Sequence, residues 1–160
     1  MRTINISRGF VVLVDDADFE RVNAFKWKSM ISKRKTRPDV VYACRNHRNK
    51  CIYMHRFILG CSRNIDHKDG DGLNNQRENL RECTQSQNGA NKRKYRGSSK
   101  YKGVSWHAGG KKWQVHIKTP EANMYLGLFA DEADAATAYN FAALEHFGEF
   151  AVFNYREASR

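Results

Sequence analysis

The chain has 160 residues with 28 Lys and Arg against 17 Asp and Glu, a formal net charge of +11 and a pI of about 9.7, which implies an anionic partner. Its 41% hydrophobic and 12% aromatic content excludes a wholly disordered basic tail. No apolar run approaches the roughly 20 residues of a membrane helix and no signal-peptide core opens the chain, so a soluble cytoplasmic protein without membrane association is expected. The charge is uneven: residues 1–60 hold 13 basic and 5 acidic side chains, residues 61–100 hold 9 and 5, and residues 101–160 hold 6 and 7. Polyanion contact is therefore expected mainly in the first hundred residues. The four cysteines, Cys44, Cys51, Cys61 and Cys83, lack the tight knuckle spacing of structural zinc sites and read mainly as reduced, buried thiols, with zinc as the alternative.

Residues 9–14 (GFVVLV) predict a short buried strand, after which Asp15 or Asp16 supplies the N-cap of a short amphipathic helix carrying Phe19, Val22 and Phe25. Strands are expected at residues 26–31 and 40–45, flanking the exposed loop KRKTRPD. CIYMHRFIL, residues 51–59, is either a strand or a strand running into a short helix that ends at Gly60. His55 within it reads as a core histidine in preference to a phosphate contact. A polar, glycine-rich stretch follows from 64 to 75, then a short strand NLRECT, and Thr84 with Gln87 forms a capping-box signature for a helix through about residue 94. KRKYRGSSK, residues 92–100, reads as a basic hinge between domains at 1–94 and 101–155. Beyond it, residues 102–107, 112–118 and 123–129 suit an antiparallel sheet with a hairpin at Gly109-Gly110, and Asp131 and Asp134 open an alanine-rich helix that stops at Gly148. In the second of these strands Trp113, Val115 and Ile117 alternate with Gln114, His116 and Lys118, giving an apolar and a polar face. Trp113 is expected in the packing, with Trp106 open between packing and exposure.

The chemistry concentrates in residues 66–88. Asp66 and His67 close one strand, Asn79 opens the next twelve positions on, and Asn88 lies nine further in the helix. A carboxylate and an amide oxygen are hard ligands suited to Mg²⁺ or Mn²⁺, and an imidazole that is not a ligand can take a proton from water. Asp69 and Asp71 are expected to serve the loop's turns, not a second metal.

The stretch IDHKDGDGLNNQRENLRECTQSQNGANK, preceded by YMHRFILG, resembles the HNH endonucleases with a ββα-metal fold, in their HNN variant. The resemblance, over roughly residues 8–94, implies that His67 is the general base, that Asp66 and Asn88 ligate one divalent ion per site, and that Asn79 orients the histidine and braces the loop. YKGVSWH, KKWQVHIK, MYLGLFADEADAATAYNFAA and a later FN resemble an AP2-type DNA-binding domain, which implies a three-stranded sheet facing the major groove and a helix behind it. Lys102, Ser105, His107, Gln114, His116, Lys118 and Tyr125 are the candidate contacts there, and Lys102, Ser105 and Lys118 stand where the family carries arginines. Lys33, Arg34, Lys35, Arg45, Arg48, Lys92, Arg93 and Lys94 are candidates for gripping the DNA backbone.

The expected fold class is thus α+β, a β-rich N-terminal module with a ββα-metal core followed by a three-stranded antiparallel sheet plus one helix. The expected function is a metal-dependent, site-recognising endonuclease, nicking or homing-type, acting as a monomer on double-stranded DNA in a bacterial or phage-infected cell. The alternatives are an inactive HNH scaffold serving as a DNA-binding transcriptional regulator, and an RNA-binding or structural protein stapled by zinc.

Overall fold

The structure, a computed structural model, describes residues 1–33, 38–92 and 97–155. Its contacts divide the chain into two compact units, Met1–Thr84 and Gln85–Arg160. Among the described residues the fold is mixed α/β, with four small antiparallel sheets and four α-helices.

In the first unit β1 (Arg2–Asn5) pairs with β2 (Val11–Val14). The sequence pattern disclosed β2 but not β1, because four residues are too few for an alternation to stand out. The helix α1 (Asp16–Asn23) follows with Asp15 at its N-cap position. The strands β3 (Lys28–Ser32), β4 (Val40–His47) and β5 (Lys50–Tyr53) form a meander, and Arg48 and Asn49 both take positive φ (47° and 63°) in the tight β4–β5 turn. β5 runs directly into α2 (Met54–Leu59), which ends at Gly60 in the left-handed region, so the strand-into-helix reading of residues 51–59 holds. A last hairpin, β6 (Asn64–His67) with β7 (Leu80–Cys83), completes the unit.

One core joins these pieces: Ile4, Val12, Val14, Val22, Trp27, Ala43, Met54, Ile58, Ile65 and Leu80 are all buried in a single cluster. Each fully buried large side chain stabilises by roughly 1.5–3 kcal/mol. β6 and β7 are thereby fixed by Ile65 and Leu80, and the polar residues beside these two are carried to fixed places. A buried carboxylate adds a second tie. Asp18 on α1 is 3% exposed and accepts from Arg77 Nε at 2.6 Å and Nη2 at 2.9 Å and from Arg21 Nη2 at 2.7 Å. Both guanidiniums also donate to the Ile58 carbonyl at the end of α2. The Arg77 hydrogen bonds hold the Asp18 carboxyl below the usual carboxylate range, against the opposing effect of burial.

The second unit contains α3 (Gln85–Ala90), the sheet β8 (Val104–His107), β9 (Lys112–Lys118) and β10 (Asn123–Phe129), and α4 (Glu132–Phe147). α3 is shorter than the helix expected through about residue 94, and residues 93–96 lie outside the described residues. β9 is central. α4 packs against it, burying Ala135, Ala136, Ala142 and Ala143, whose small side chains allow close approach to Val104, Val115 and Ile117. The helix starts as the sequence indicates, with the Asp131 carboxylate accepting from Ala133 N at 2.6 Å and Asp134 N at 3.1 Å, and it stops at Gly148. Asn154 closes the unit: its Oδ1 accepts from Lys102 N at 2.6 Å and its Nδ2 donates to Lys102 O at 3.1 Å.

Two glycines of this unit should respond oppositely to alanine. Gly103 has φ +78°, and a Cβ there would lie 2.0 Å from Tyr139 Cδ2 and 2.8 Å from the His116 carbonyl oxygen; at Gly89 in α3 it would meet nothing within 4 Å. Gly103→Ala is expected to destabilise by about 2–3 kcal/mol. Gly89→Ala is expected to be neutral or stabilising by up to about 1 kcal/mol. Urea denaturation of both variants checks the contrast.

Candidate active site

The β6–β7 register sets Asp66 opposite Arg81 and His67 opposite Leu80, and Lys68 N donating to Asn79 O at 2.9 Å continues the ladder one step into the loop. The Asn79 side chain then ties the loop together. Its Nδ2 donates to Asp69 Oδ1 at 3.0 Å and to the Asn74 carbonyl at 2.8 Å, while its Oδ1 accepts from Asp69 N at 3.1 Å. Asp69 and Asp71 build the turns themselves, accepting from Asp71 N and Leu73 N at 2.8 and 2.9 Å. The far side of the loop is stitched to β2, with Leu13 N donating to Leu73 O at 3.0 Å and Asn75 N to Leu13 O at 2.8 Å. Gly72 permits this docking: a Cβ there would fall 2.4 Å from the Val41 carbonyl oxygen and 2.6 Å from the Tyr42 ring.

His67 is 6% exposed and lies within an aromatic group, 5.8 Å from the Tyr42 ring and 5.1 Å, edge to face, from His55. Tyr53 stacks on His55 at 5.3 Å. Burial pushes the His67 pKa below its ordinary value; the nearby charges of Asp69, Asp66 and Asp71 and a hydrogen bond with Asn75 oppose this without reversing it. His55 is pushed further, to about 3, by burial first, then by His67 and Arg56. Both imidazoles are thus neutral near pH 7, and a neutral ring is a base. Asp66, 5% exposed, accepts at Oδ2 from Arg81 Nε at 3.0 Å and Nη2 at 2.9 Å.

Asp66, His67 and Asn79 lie in the first unit, Asp66 and His67 adjacent at the end of β6 and Asn79 in the turn before β7, and Asn88 lies on α3 of the second. Among the described residues no three His, Cys, Asp or Glu side chains converge on a metal position. A cation held by one carboxylate and one amide oxygen would keep several waters, which suits Mg²⁺ with its reluctance to dehydrate. By donor type alone, a carboxylate and an amide oxygen suit a hard divalent ion. Of the cysteines, none of which is in a disulfide, Cys44 alone is buried, Cys61 and Cys83 are half-buried and Cys51 is exposed, which corrects the expectation of four buried thiols.

The backbone-gripping candidates divide. Lys33, Arg48 and Lys92 are exposed, and Arg34, Lys35, Arg93 and Lys94 lie outside the described residues. The Arg45 guanidinium lies 4.0 Å from the centre of the Phe25 ring and 5.4 Å from that of Phe57, a cation–π arrangement. Lys102 turns inward, Nζ donating to the Gly89 and Ala90 carbonyls at the end of α3. Ser105, His107, Gln114, His116, Lys118 and Tyr125 alternate with the buried Val104, Val115 and Ile117 and share the opposite face of the sheet. On that face Gln114 Nε2 donates to Ser105 Oγ at 3.2 Å, and the His116 and Tyr125 rings are 5.2 Å apart. Trp106 is 42% exposed and meets Trp113 edge to face at 5.0 Å.

Sequence reasoning did not single out Asn75, His55 as a neighbour of His67, Arg81, or the Asp18–Arg77 pair. The Asn74-Asn75 doublet was visible within a polar loop, but nothing in the pattern marks Asn75 as 1% exposed.

Residues 63–90 match the HNH endonuclease family. Asp66, His67, Asn79 and Asn88 all fall within the matched segment. The chain is also 42% identical over 62 residues, 38% of its length, to an AP2-like ethylene-responsive transcription factor of Arabidopsis thaliana, covering 18% of that protein. It is 44% identical over 62 residues to the AP2-like ethylene-responsive transcription factor AIL7 of Arabidopsis thaliana, again 38% of this chain, and covers 12% of it. It is 42% identical over 66 residues to APETALA2-like protein 2 of Oryza sativa, 40% of this chain and 15% of the relative. The chain thus spans less than a fifth of the length of these relatives. No solved structure matches it significantly. Among the described residues no helix is long and apolar enough to cross a membrane.

The histidine pair makes a prediction about acid. Unfolded His55 takes a proton below about pH 6.5, whereas folded His55 stays neutral down to about 3, so the unfolded chain binds more protons throughout that window. Stability should fall as pH drops below 6.5, with His55 contributing about 1.4 kcal/mol per pH unit once its unfolded form is protonated. In urea denaturation between pH 7.5 and 4.5, His55→Gln should flatten this dependence by that amount. An unchanged slope would contradict the assignment.

Proposed function

We propose that this chain is a divalent-metal-dependent DNA endonuclease whose 63–90 segment cuts and whose three-stranded sheet selects the site. The observation that carries the reading is the neutral, buried His67 beside the Asp66 carboxylate, on a loop braced by Asn79, inside a segment matching an endonuclease family. His67 accepts a proton from the attacking water at a ring nitrogen, which its unprotonated state allows. Asn79 holds the loop at the end of β6, and Asn75 holds the imidazole. Asp66 and Asn88 would hold one Mg²⁺ or Mn²⁺. When bound, that ion would offset charge on the 3′ oxygen; as the water oxygen bonds phosphorus, the P–O3′ bond breaks and the 3′ oxygen takes a proton from solvent, leaving 5′-phosphate and 3′-hydroxyl ends. The substrate is double-stranded DNA within a cell, cut by a monomer, for which a single site favours nicking. Lys33, Arg34, Lys35, Arg48, Lys92, Arg93 and Lys94 hold the backbone; Arg45 and Lys102 are engaged within the protein and contribute less.

A second reading, a DNA-binding regulator on an inactive scaffold, is favoured by the transcription-factor relatives and by the Arg81 guanidinium on Asp66. Incubating supercoiled plasmid with the protein, with Mg²⁺ or EDTA, separates the two. The nuclease gives metal-dependent open-circle or linear DNA, and His67→Ala lowers the rate roughly 10²- to 10⁴-fold. DNA retained uncut with Mg²⁺ and Mn²⁺ supports the regulator. With about six phosphates neutralised, log affinity should fall against log salt with a slope of roughly −5 in either case.

A further inference from the structure

The outward face of the sheet has a chemistry of its own. Across its middle, Ser105 of β8, Gln114 of β9 and Leu128 of β10 are directly paired neighbours, so their side chains rise from the same face in one row. Gln114 Nε2 donates to Ser105 Oγ at 3.2 Å. That bond fixes the amide and leaves its carbonyl oxygen and its second N–H for another partner. Leu128 is 41% exposed on the polar face of the sheet, an apolar group beside an amide. Residues 97–155 contain no arginine, the side chain that most often reads guanine. The lysines of β9, Lys112 and Lys118, are its two end residues, the first opposite His107 and the second opposite Asn123, so the Ser105, Gln114 and Leu128 row carries no lysine.

We propose that the row Ser105, Gln114 and Leu128 reads an A·T pair in the major groove, Gln114 engaging adenine and Leu128 the thymine methyl group. This rests on the sheet being the DNA address. Adenine presents there an N6 amino donor and an N7 acceptor, the complement of a carbonyl oxygen and an N–H held side by side. Guanine presents two acceptors, O6 and N7, and the Gln114 carbonyl oxygen would face one of them unpaired. Ser105 sharpens the choice by holding the amide plane. Leu128 supplies the apolar surface that a thymine methyl offers a use for and cytosine does not.

The test selects binding sites for the full chain from random double-stranded DNA in EDTA, then measures affinity for the selected site carrying single-atom changes. An A·T pair should be required at one position. There 7-deazaadenine, which removes the N7 acceptor, should weaken binding roughly 10-fold or more. Deoxyuridine in place of thymidine should weaken it about fourfold, the loss of one buried methyl. Gln114→Ala should bind the unmodified site more weakly and lose its response to 7-deazaadenine at that position alone, and Leu128→Ala should lose its response to deoxyuridine. Because the modified DNAs probe the unaltered protein, a variant that fails to fold leaves their result intact. A sharp site preference that no 7-deazaadenine substitution weakens overturns the Gln114 assignment while leaving the address reading in place. Selection of no preferred sequence overturns the address reading and this assignment with it.

Discussion

A single buried carboxylate organises the first unit. Asp18 sits on the inward side of α1, nearly sealed from water, where an unpaired charge would cost several kcal/mol. Three guanidinium bonds satisfy it, and both guanidiniums also donate to the Ile58 carbonyl at the end of α2. Arg77 is the decisive partner, because it opens the short turn Arg77–Asn79 that delivers Asn79 to the loop. Asp15, at the start of the same helix, reinforces this by accepting from Arg77 N at 2.7 Å and from the Gln76 amide at 3.3 Å. Its carboxylate serves the distant loop and makes no cap bond with its own helix. The helix that the sequence marks by capping chemistry thus acts as a bracket for residues about sixty positions away.

From that bracket the site follows by register. Once Leu80 is seated in the core, the antiparallel pairing places His67 opposite it and Asp66 opposite Arg81. The two adjacent polar residues then point to opposite faces of the hairpin and meet different surroundings. Asp66 meets the Arg81 guanidinium, which donates to it twice. His67 meets Tyr42 and His55, and burial there favours its neutral form against the opposing charges of Asp69, Asp66 and Asp71. Neighbouring residues in the chain are in this way given different surroundings, a guanidinium for Asp66 and a buried aromatic group for His67.

Much of this was legible in the sequence, for reasons that particular elements make plain. The alternation in KWQVHIK, the Gly109-Gly110 hairpin and the run of alanines after Asp131 each encode a local preference, and each element stands where it was expected. The strand end was legible as spacing, since Asp66 and His67 close β6, whereas Asn79, expected to open the next strand, ends the short turn just before it. What escaped depends on partners far apart in the chain. Asp18 and Arg77 are 59 positions apart, and neither carries a local mark of burial. His55 was read as a core residue, and it is buried, but its position against His67 depends on how α2 is seated beside β6. Arg45 and Lys102 show the converse, internal contacts that the charge pattern did not reveal. A cation in a basic protein suggests a phosphate partner, yet ring faces and helix-end carbonyls compete for the same charge once the fold brings them near.

That competition also clarifies the net charge of +11. Residues 1–100 carry 22 basic and 10 acidic side chains, and residues 101–160 carry 6 and 7. Affinity for a polyanion grows with the number of phosphates neutralised and does not distinguish one sequence from another. Discrimination needs donors and acceptors in fixed places, for which a neutral amide held by a hydroxyl is better suited than a mobile ammonium. The sheet of the second unit has the fixed amide, and the excess of cations lies in the first hundred residues. Under the proposed function, affinity and selectivity would thus fall to different stretches of the chain, and a change in one could leave the other intact.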